Sequence, residues 1–378
     1  MGEAKRVAIL AVRFGAGHWQ AAQALKEALE QTYPGVQVDV VNYLKFAGFF
    51  FDWLTRLGYH DLMIHMPRLY RRFFAYTNQL RPGSLFQKFI CTCGARRFRR
   101  YLRRANPVLL ISTFPVPAAV AANLKRRGLV RCPLVTVVTD YTLHQQWIQP
   151  GTDLYIVANE VMAGDLICRK IPPHQVAATG IPIDPRFETH PGKKLPELLP
   201  GLPPASEGLP LVFVLNGATC FRGDLPRLCR LLADFPVPLV GVVAGVRHPR
   251  QRFKLRRLVK KGRNKVLILG FTKEVPSFMG AASCLVSKAG GLTMSEALAM
   301  ELPVVIYRPL PCQEESNRAF LVAAGAALAA QNISELSECL RRVLKDAHLR
   351  TEMKQAASRL KKPAAARAVA RLLEPYLS

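Results

Sequence analysis

The chain has 378 residues, enough for two or three domains at roughly 100–200 residues each. Half of it is hydrophobic and 21% is charged, which excludes a mainly disordered or fibrous protein. With 53 Lys+Arg against 26 Asp+Glu the formal net charge is +27, so polyanions are its natural partners: phosphates, anionic lipid or nucleic acid.

The first strand is predicted at Val7–Val12, after a short charged lead whose Glu3 stands where a signal peptide would be basic. The turn Phe14-Gly15-Ala16-Gly17-His18 follows, then a helix from about Gln20 to Thr32. Gly15 and Gly17 let the backbone turn tightly against a bound group, and the helix start adds unpaired N–H groups. His18 sits at that edge, where an imidazole takes a proton from a hydroxyl near neutral pH. On spacing alone the same residues also read as an ordinary strand–helix turn with a surface histidine.

A second strand, Val36–Val41, leads into a basic and aromatic segment from about Lys45 to Arg104. Phe50, Trp53, Phe73, Phe74, Phe86, Phe89 and Phe98 are interleaved there with Arg71, Arg72 and many further cations, opposed only by Asp52 and Asp61. Aromatic rings beside cations describe an interfacial surface on anionic lipid, or single strands of nucleic acid stacked on rings, or core aromatics with a solvated basic face. No 18 apolar residues run uninterrupted, so no membrane span is expected.

Strands are predicted next at Val108–Ser112, Leu134–Thr139 and Leu154–Val157. Continuous apolar strands alternating with helical patterns argue for a doubly wound parallel sheet. The turn after Leu134–Thr139 holds Asp140, which suits a base or the orienter of one, and Trp147, which suits a face laid on lipid or sugar. As bland alternatives, Asp140 is a turn former and Trp147 a core ring.

Between Asp184 and Pro210 seven prolines suggest an interdomain linker over 184–210. Strands restart at Leu211–Leu215 and recur at Leu239–Ala244, Val266–Leu269, Cys284–Val286 and Val304–Tyr307, giving a second α/β domain. Within it, Gly290 and Gly291 open the helix that carries Thr293 and Glu296, a seat for a diphosphate with a carboxylate suited to a ribose diol. After Val304–Tyr307, the group Gln313, Glu314 and Asn317 suits sugar hydroxyls, although acids at a helix start also simply favour its dipole. The nine scattered cysteines match no metal or redox spacing and read as mostly buried residues of a reducing compartment.

Taken in order, Phe14–His18, Thr139-Asp140-Tyr141, Trp147, Thr179–Ile183, Ser287–Leu298 and Gln313–Asn317 resemble one family over Val7 to about Leu328. It is the monogalactosyldiacylglycerol synthases and bacterial processive diacylglycerol glucosyltransferases of glycosyltransferase family 28. The resemblance implies a GT-B architecture: two Rossmann-like domains facing a cleft, with a C-terminal helix crossing back. On that plan residues 1–183 form an acceptor and membrane-binding domain, 211–350 a UDP-sugar domain, and 351–378 the returning helix.

The resemblance also implies an inverting transfer of a hexose from UDP-glucose or UDP-galactose to diacylglycerol, on the inner face of the plasma membrane of a cytoplasmic, peripheral protein. His18 matches the family's Gly-loop histidine, with Asp140 as its orienter. Gly290, Gly291 and Thr293 would hold the diphosphate, Glu296 the ribose, and Gln313, Glu314 and Asn317 the donor sugar. Phe271 would mark where backbone groups meet the uracil. The family's Gly-rich loop appears here as Asn216–Gly223 with fewer glycines, leaving Gly217 and Arg222 to supply its phosphate contacts. No cofactor, metal, nucleic acid or obligate protein partner is expected. The competing readings are a UDP-sugar transferase with a polyprenyl-diphosphate-linked acceptor, a sugar epimerase of the same fold, and a non-enzymatic basic binder of lipid or nucleic acid.

Overall fold

The computed structural model describes residues 5–13, 17–48, 66–80, 84–92, 94–189, 195–199, 202, 206, 208–217, 221 and 223–377. The described residues begin with β1 (Lys5–Ala11), α1 (Gly17–Thr32) and β2 (Val36–Asn42), then a helical stretch over residues 44–48 and, further on, α2 (Pro67–Gln79), α3 (Leu85–Thr92) and α4 (Ala95–Ala105). Then come β3 (Leu109–Ser112), α5 (Pro115–Arg126), β4 (Leu134–Val137), β5 (Leu154–Ile156), α6 (Glu160–Cys168) and β6 (Val176–Ala177). Two single-turn helices follow, α7 (Arg186–Thr189) and α8 (Leu195–Leu198).

The later part alternates β7 (Leu211–Leu215), α9 (Leu225–Ala233), β8 (Val240–Ala244), α10 (Pro249–Val259), β9 (Lys265–Ile268), α11 (Val275–Ala281), β10 (Cys284–Ser287) and α12 (Gly291–Ala299). It continues with β11 (Val304–Tyr307), α13 (Gln313–Ala323), β12 (Ala327–Ala330), α14 (Ile333–Lys345), α15 (Ala347–Leu360), α16 (Ala365–Leu372) and α17 (Glu374–Leu377).

These elements form two units. The first holds residues 1–185, 310–316 and 364–378, and the second holds 186–309 and 317–363. The sheet of the first runs β2-β1-β3-β4-β5-β6, and that of the second β12-β11-β10-β7-β8-β9. Every pairing is parallel, as the continuous apolar runs predict: Ile9 faces Val40 on one side and Ile111 on the other, and all of β3, β4, β8 and β11 is buried. In each sheet the strand order reverses once beside the first strand, between β1 and β3 and between β7 and β10. The crevice outside the carboxyl ends of strands at such a switch point is where open α/β sheets bind ligands.

The Pro-rich stretch expected as a linker is packed structure for much of its described length. Phe187 of α7 and Leu199 are buried, and α7 and α8 lie against α12 and α11 of the second unit. Prolines exclude only long helices and central strands, so single-turn helices remain open to such a sequence. The returning helix also differs from expectation. Lys361-Lys362-Pro363 breaks it, so α15 stays with the second unit while α16 and α17 join the first. There Ala366, Val369, Ala370 and Leu373 share one core with Ala22, Leu25, Ala28 and Leu29 of α1. Alanine on both helices allows close approach, and Tyr33 Oη donates to the Ala370 carbonyl at 3.3 Å.

Candidate active site

The first unit places a histidine at its switch point. Gly17 and His18 are the first two residues of α1, three residues earlier than periodicity alone predicts. Thr113, which follows β3, donates from Oγ1 to the His18 carbonyl at 3.0 Å. The His18 ring meets Phe114 edge-on at 4.9 Å and lies 6.4 Å from the Trp147 ring. Its Nδ1 is 2.8 Å from Oγ1 of Thr139, in the turn after β4. Desolvation by these neighbours pushes the imidazole down to about 4, against a smaller upward pull from a backbone hydrogen bond at Thr113. The ring is therefore neutral at pH 7 and able to accept a proton.

One expectation changes here and two gain a described neighbour. Among the described contacts, Nδ1 of His18 meets Thr139, the neighbour of Asp140. Trp147 is 2% exposed and forms part of the wall behind His18, which removes it from any lipid or sugar surface. Arg71 is engaged by Glu315 at 2.5 Å, so its charge is matched inside the unit. Gly15, Phe50, Trp53 and Arg222 lie outside the described residues.

Helix α2 is tied to the same turn. Its Phe74 carbonyl lies 3.3 Å from His144 Nε2, its Asn78 Oδ1 accepts from the Gln145 N–H at 2.8 Å, and its Thr77 carbonyl accepts from Gln146 Nε2 at 3.1 Å. The Gln146 N–H donates to His144 Nδ1, which leaves the proton on Nε2 to donate to Phe74. Tyr70, also on α2, donates to Oε1 of Gln313 at 3.1 Å.

In the second unit, Asn216 and Gly217 after β7, Gly245 after β8, Phe271 after β9 and Lys288–Gly290 after β10 all stand at the carboxyl edge of the sheet. Helix α12 opens on Gly290 with no side-chain cap among the described residues, so its first N–H groups lack a partner within the helix. Gly217 and Lys288 meet across the β7–β10 switch: a Cβ built on Gly217 would lie 3.6 Å from Lys288 Cε. The approach at Gly245 is tighter, since a Cβ there would sit 2.1 Å from the Asn216 carbonyl oxygen, and its φ of +85° also demands glycine. Asn216 is buried, and among the described residues its Oδ1 has no hydrogen-bond partner. Lys288 and Asn216 were not singled out by sequence, although both sit in quoted motifs. Only the fold shows that their strands are neighbours.

Glu296 is buried on α12 one turn beyond Thr293, and Phe271 is 84% exposed. Asn317 departs from expectation. It is fully buried, and its Nδ2 donates to the Ala289 carbonyl at 2.9 Å, so it shapes the turn before Gly290 and does not reach a sugar. Glu314 accepts from the Leu310 N–H at 2.8 Å, closing the loop before α13. Asp224, 7% exposed, holds that loop's entry through Arg308 and through Tyr307 Oη at 3.1 Å.

The family described as monogalactosyldiacylglycerol (MGDG) synthase matches residues 18–183, which begins at His18 itself. Glycosyl transferases group 1 matches residues 227–360. Processive diacylglycerol beta-glucosyltransferases are similar from end to end. That of Bacillus cytotoxicus is 28% identical over 95% of this chain and 90% of its own, and that of Bacillus cereus 27% over 93% and 88%. The chain is therefore similar over most of its length to the diacylglycerol glycosyltransferases.

The fold of this chain is also that of solved structures. Acinetobacter baumannii MurG superposes with a TM-score of 0.63 at 19% identity, covering 98% of this chain and 99% of that one. HepE from Anabaena, in complex with UDP-glucose, gives 0.57 at 14% identity, covering 98% and 99%. At these identities the likeness is one of GT-B fold. Among the described residues no helix is long and apolar enough to cross a membrane.

Proposed function

We propose that this protein is a glycosyltransferase that moves a hexose from a UDP-sugar to the hydroxyl of diacylglycerol, with inversion, at the cytoplasmic surface of a membrane. The observation that carries the reading is His18: a desolvated, neutral imidazole at the switch point of a domain matched by the MGDG synthase family. Its relatives are named beta-glucosyltransferases, and a β-glucoside formed from an α-linked sugar nucleotide requires one inverting displacement.

In that displacement the acceptor oxygen bonds to the anomeric carbon as the bond from that carbon to the diphosphate breaks, through an oxocarbenium-like state. For His18 to take the hydroxyl proton on Nε2, its Nδ1–H must donate to Thr139 Oγ1. The uncapped start of α12, with Gly290, Gly291 and Thr293, is the seat for the leaving diphosphate, and Lys288 beside Gly217 adds a cation. Glu296 is assigned to the ribose, Gln313 to the sugar, and Phe271 marks the uracil position.

Docking on anionic lipid is the second part of the proposal. From Pro67 to Ala105 the sequence holds eleven Lys and Arg and no acid. Leu69, Phe73 and Tyr76 on α2 are exposed along one stripe, beside the exposed Arg68 and Arg72.

The deciding experiment incubates the protein with UDP-glucose or UDP-galactose and diacylglycerol in anionic vesicles and identifies the lipid product. A monohexosyl or oligohexosyl diacylglycerol from one donor supports the reading. Absence of glycolipid with both donors, alongside product from a polyprenyl-diphosphate-linked acceptor, replaces it with the other transferase reading.

A further inference from the structure

A cavity of about 200 Å³ lies in the first unit between α3 and α5, formed by residues distinct from those assigned to the donor and to His18. Lys88, Arg126 and Arg127 line it, and no Asp or Glu is found among its described lining residues. All three cations are exposed. Among the described residues none of their side chains has a carboxylate or hydrogen-bonded partner, whereas the neighbouring Lys125 is paired with Asp153.

The inner wall is polar and held in place. Gln87 and Gln149 are 5% and 4% exposed, and Gln87 Nε2 donates to Gln149 Oε1 at 2.6 Å. Gln149 is fixed in turn: its Nε2 donates to the Gln146 carbonyl at 2.8 Å, and its own N–H and carbonyl both bond Tyr155 Oη at 2.9 Å. Asn123 adds a further amide from α5. A preorganised amide wall behind three uncompensated cations is a receptor for an oxyanion, and the guanidinium forks match phosphate oxygens. The volume is room for several waters, more than inorganic phosphate fills.

We infer that this cavity is a phosphate-ester site, separate from the UDP-sugar seat, that takes a phosphoglycerol-sized group bearing one or two negative charges. The ligand chemistry is shared by a free glycerophosphate and by a lipid headgroup. Lys88 adjoins the exposed Phe89 on α3, so the site opens beside apolar surface.

The test uses the full chain in the presence of saturating UDP and at fixed ionic strength. Glycerol 3-phosphate is titrated calorimetrically, and vesicles of phosphatidylcholine with phosphatidylglycerol are sedimented. R126A/R127A and K88A are compared with the wild type and with K260A/K261A, which removes two exposed charges from the second unit. Both cavity variants should lose about tenfold or more in affinity for at least one probe, while the control follows the wild type. Loss confined to glycerol 3-phosphate assigns the free ester, and loss confined to vesicles assigns the headgroup. Cavity variants indistinguishable from the wild type with both probes, or matched by the control, overturn the site. Because the readout is binding, a protein with no transferase activity would still decide it. All the substituted positions are exposed, and a thermal midpoint equal to the wild type's verifies folding.

Discussion

His18 Nδ1 and Thr139 Oγ1 lie 2.8 Å apart, so the second residue of α1 is held by the turn after β4. This contact brings together two chain segments 121 residues apart, and in the proposed reaction Nε2 is the nitrogen that takes the acceptor's proton. His18→Ala should abolish turnover while leaving UDP affinity within about twofold, measured by calorimetry, since the donor seat uses none of its atoms. Full turnover in that variant would remove the base assignment.

The same burial fixes a pH dependence. With the imidazole lowered to about 4, the base remains deprotonated well below neutral pH, so the acid limb of kcat/KM should fall near 4 to 5. A limb near 6.5 would mean a solvated ring. The sign for stability is equally defined. An unfolded histidine protonates first as pH falls, so His18 withdraws stability between about 6.5 and 4, and the loss should be shallower in His18→Gln.

Thr139 and Asp140 predict different kinetics. Thr139→Val deletes the oxygen at Nδ1 and should lower kcat about tenfold with little change in KM, because it frees the ring and touches no donor group. Thr139→Ser should restore most of the rate. Should Asp140→Asn instead prove the damaging change while Thr139→Val is silent, the orienter is the carboxylate after all.

Lys288 tests the second unit's seat. Its side chain lies beside Gly217 across the β7–β10 switch, next to the uncapped start of α12. Lys288→Met should raise the Kd for UDP about tenfold, the loss of one charge-assisted contact, and change the Kd for uridine by less than twofold. Equal effects on both ligands would show that the lysine does not meet the diphosphate.

Asn317 separates shaping from contact. Its amide donates to the Ala289 carbonyl from a fully buried position. Asn317→Leu therefore leaves a buried carbonyl short of a donor, at a cost of about 1–3 kcal/mol, and should lower the thermal midpoint as well as weaken UDP binding. A sugar-contacting residue would raise the KM for donor with no loss of stability.

These cases show what the sequence carried and what it did not. Parallel strands were legible, and so was the helix that opens at Gly290–Gly291, because buried strands need unbroken apolar runs and a strand–helix turn favours glycine. That Thr139 meets His18 was not, because which side chains of a turn face the first helix depends on backbone rotations that composition does not encode. Trp147 was misplaced for a related reason, since a ring in a turn reads alike whether it lines a site or fills a wall. Lys288 and Asn216 stayed hidden until strand order made β7 and β10 neighbours.

Helix α2 presents the same ambiguity in a form that can be tested. Tyr70, Phe74 and Thr77 share one spacing, and Leu69, Phe73 and Tyr76 share the same spacing one residue earlier. Tyr70 and Thr77 are buried and Phe74 partly so, while Leu69, Phe73 and Tyr76 are 46%, 43% and 58% exposed. Only the second set is available to a bilayer. L69S/F73S should weaken binding to vesicles containing anionic lipid at high salt, where charge attraction is screened and apolar insertion persists. R68A/R72A should weaken it mainly at low salt. Two buried apolar side chains of this size contribute roughly 1.5–3 kcal/mol each when fully removed from water, so a loss of tenfold or more is expected for the apolar pair. Binding unchanged in both double variants would place the membrane contact elsewhere on the chain.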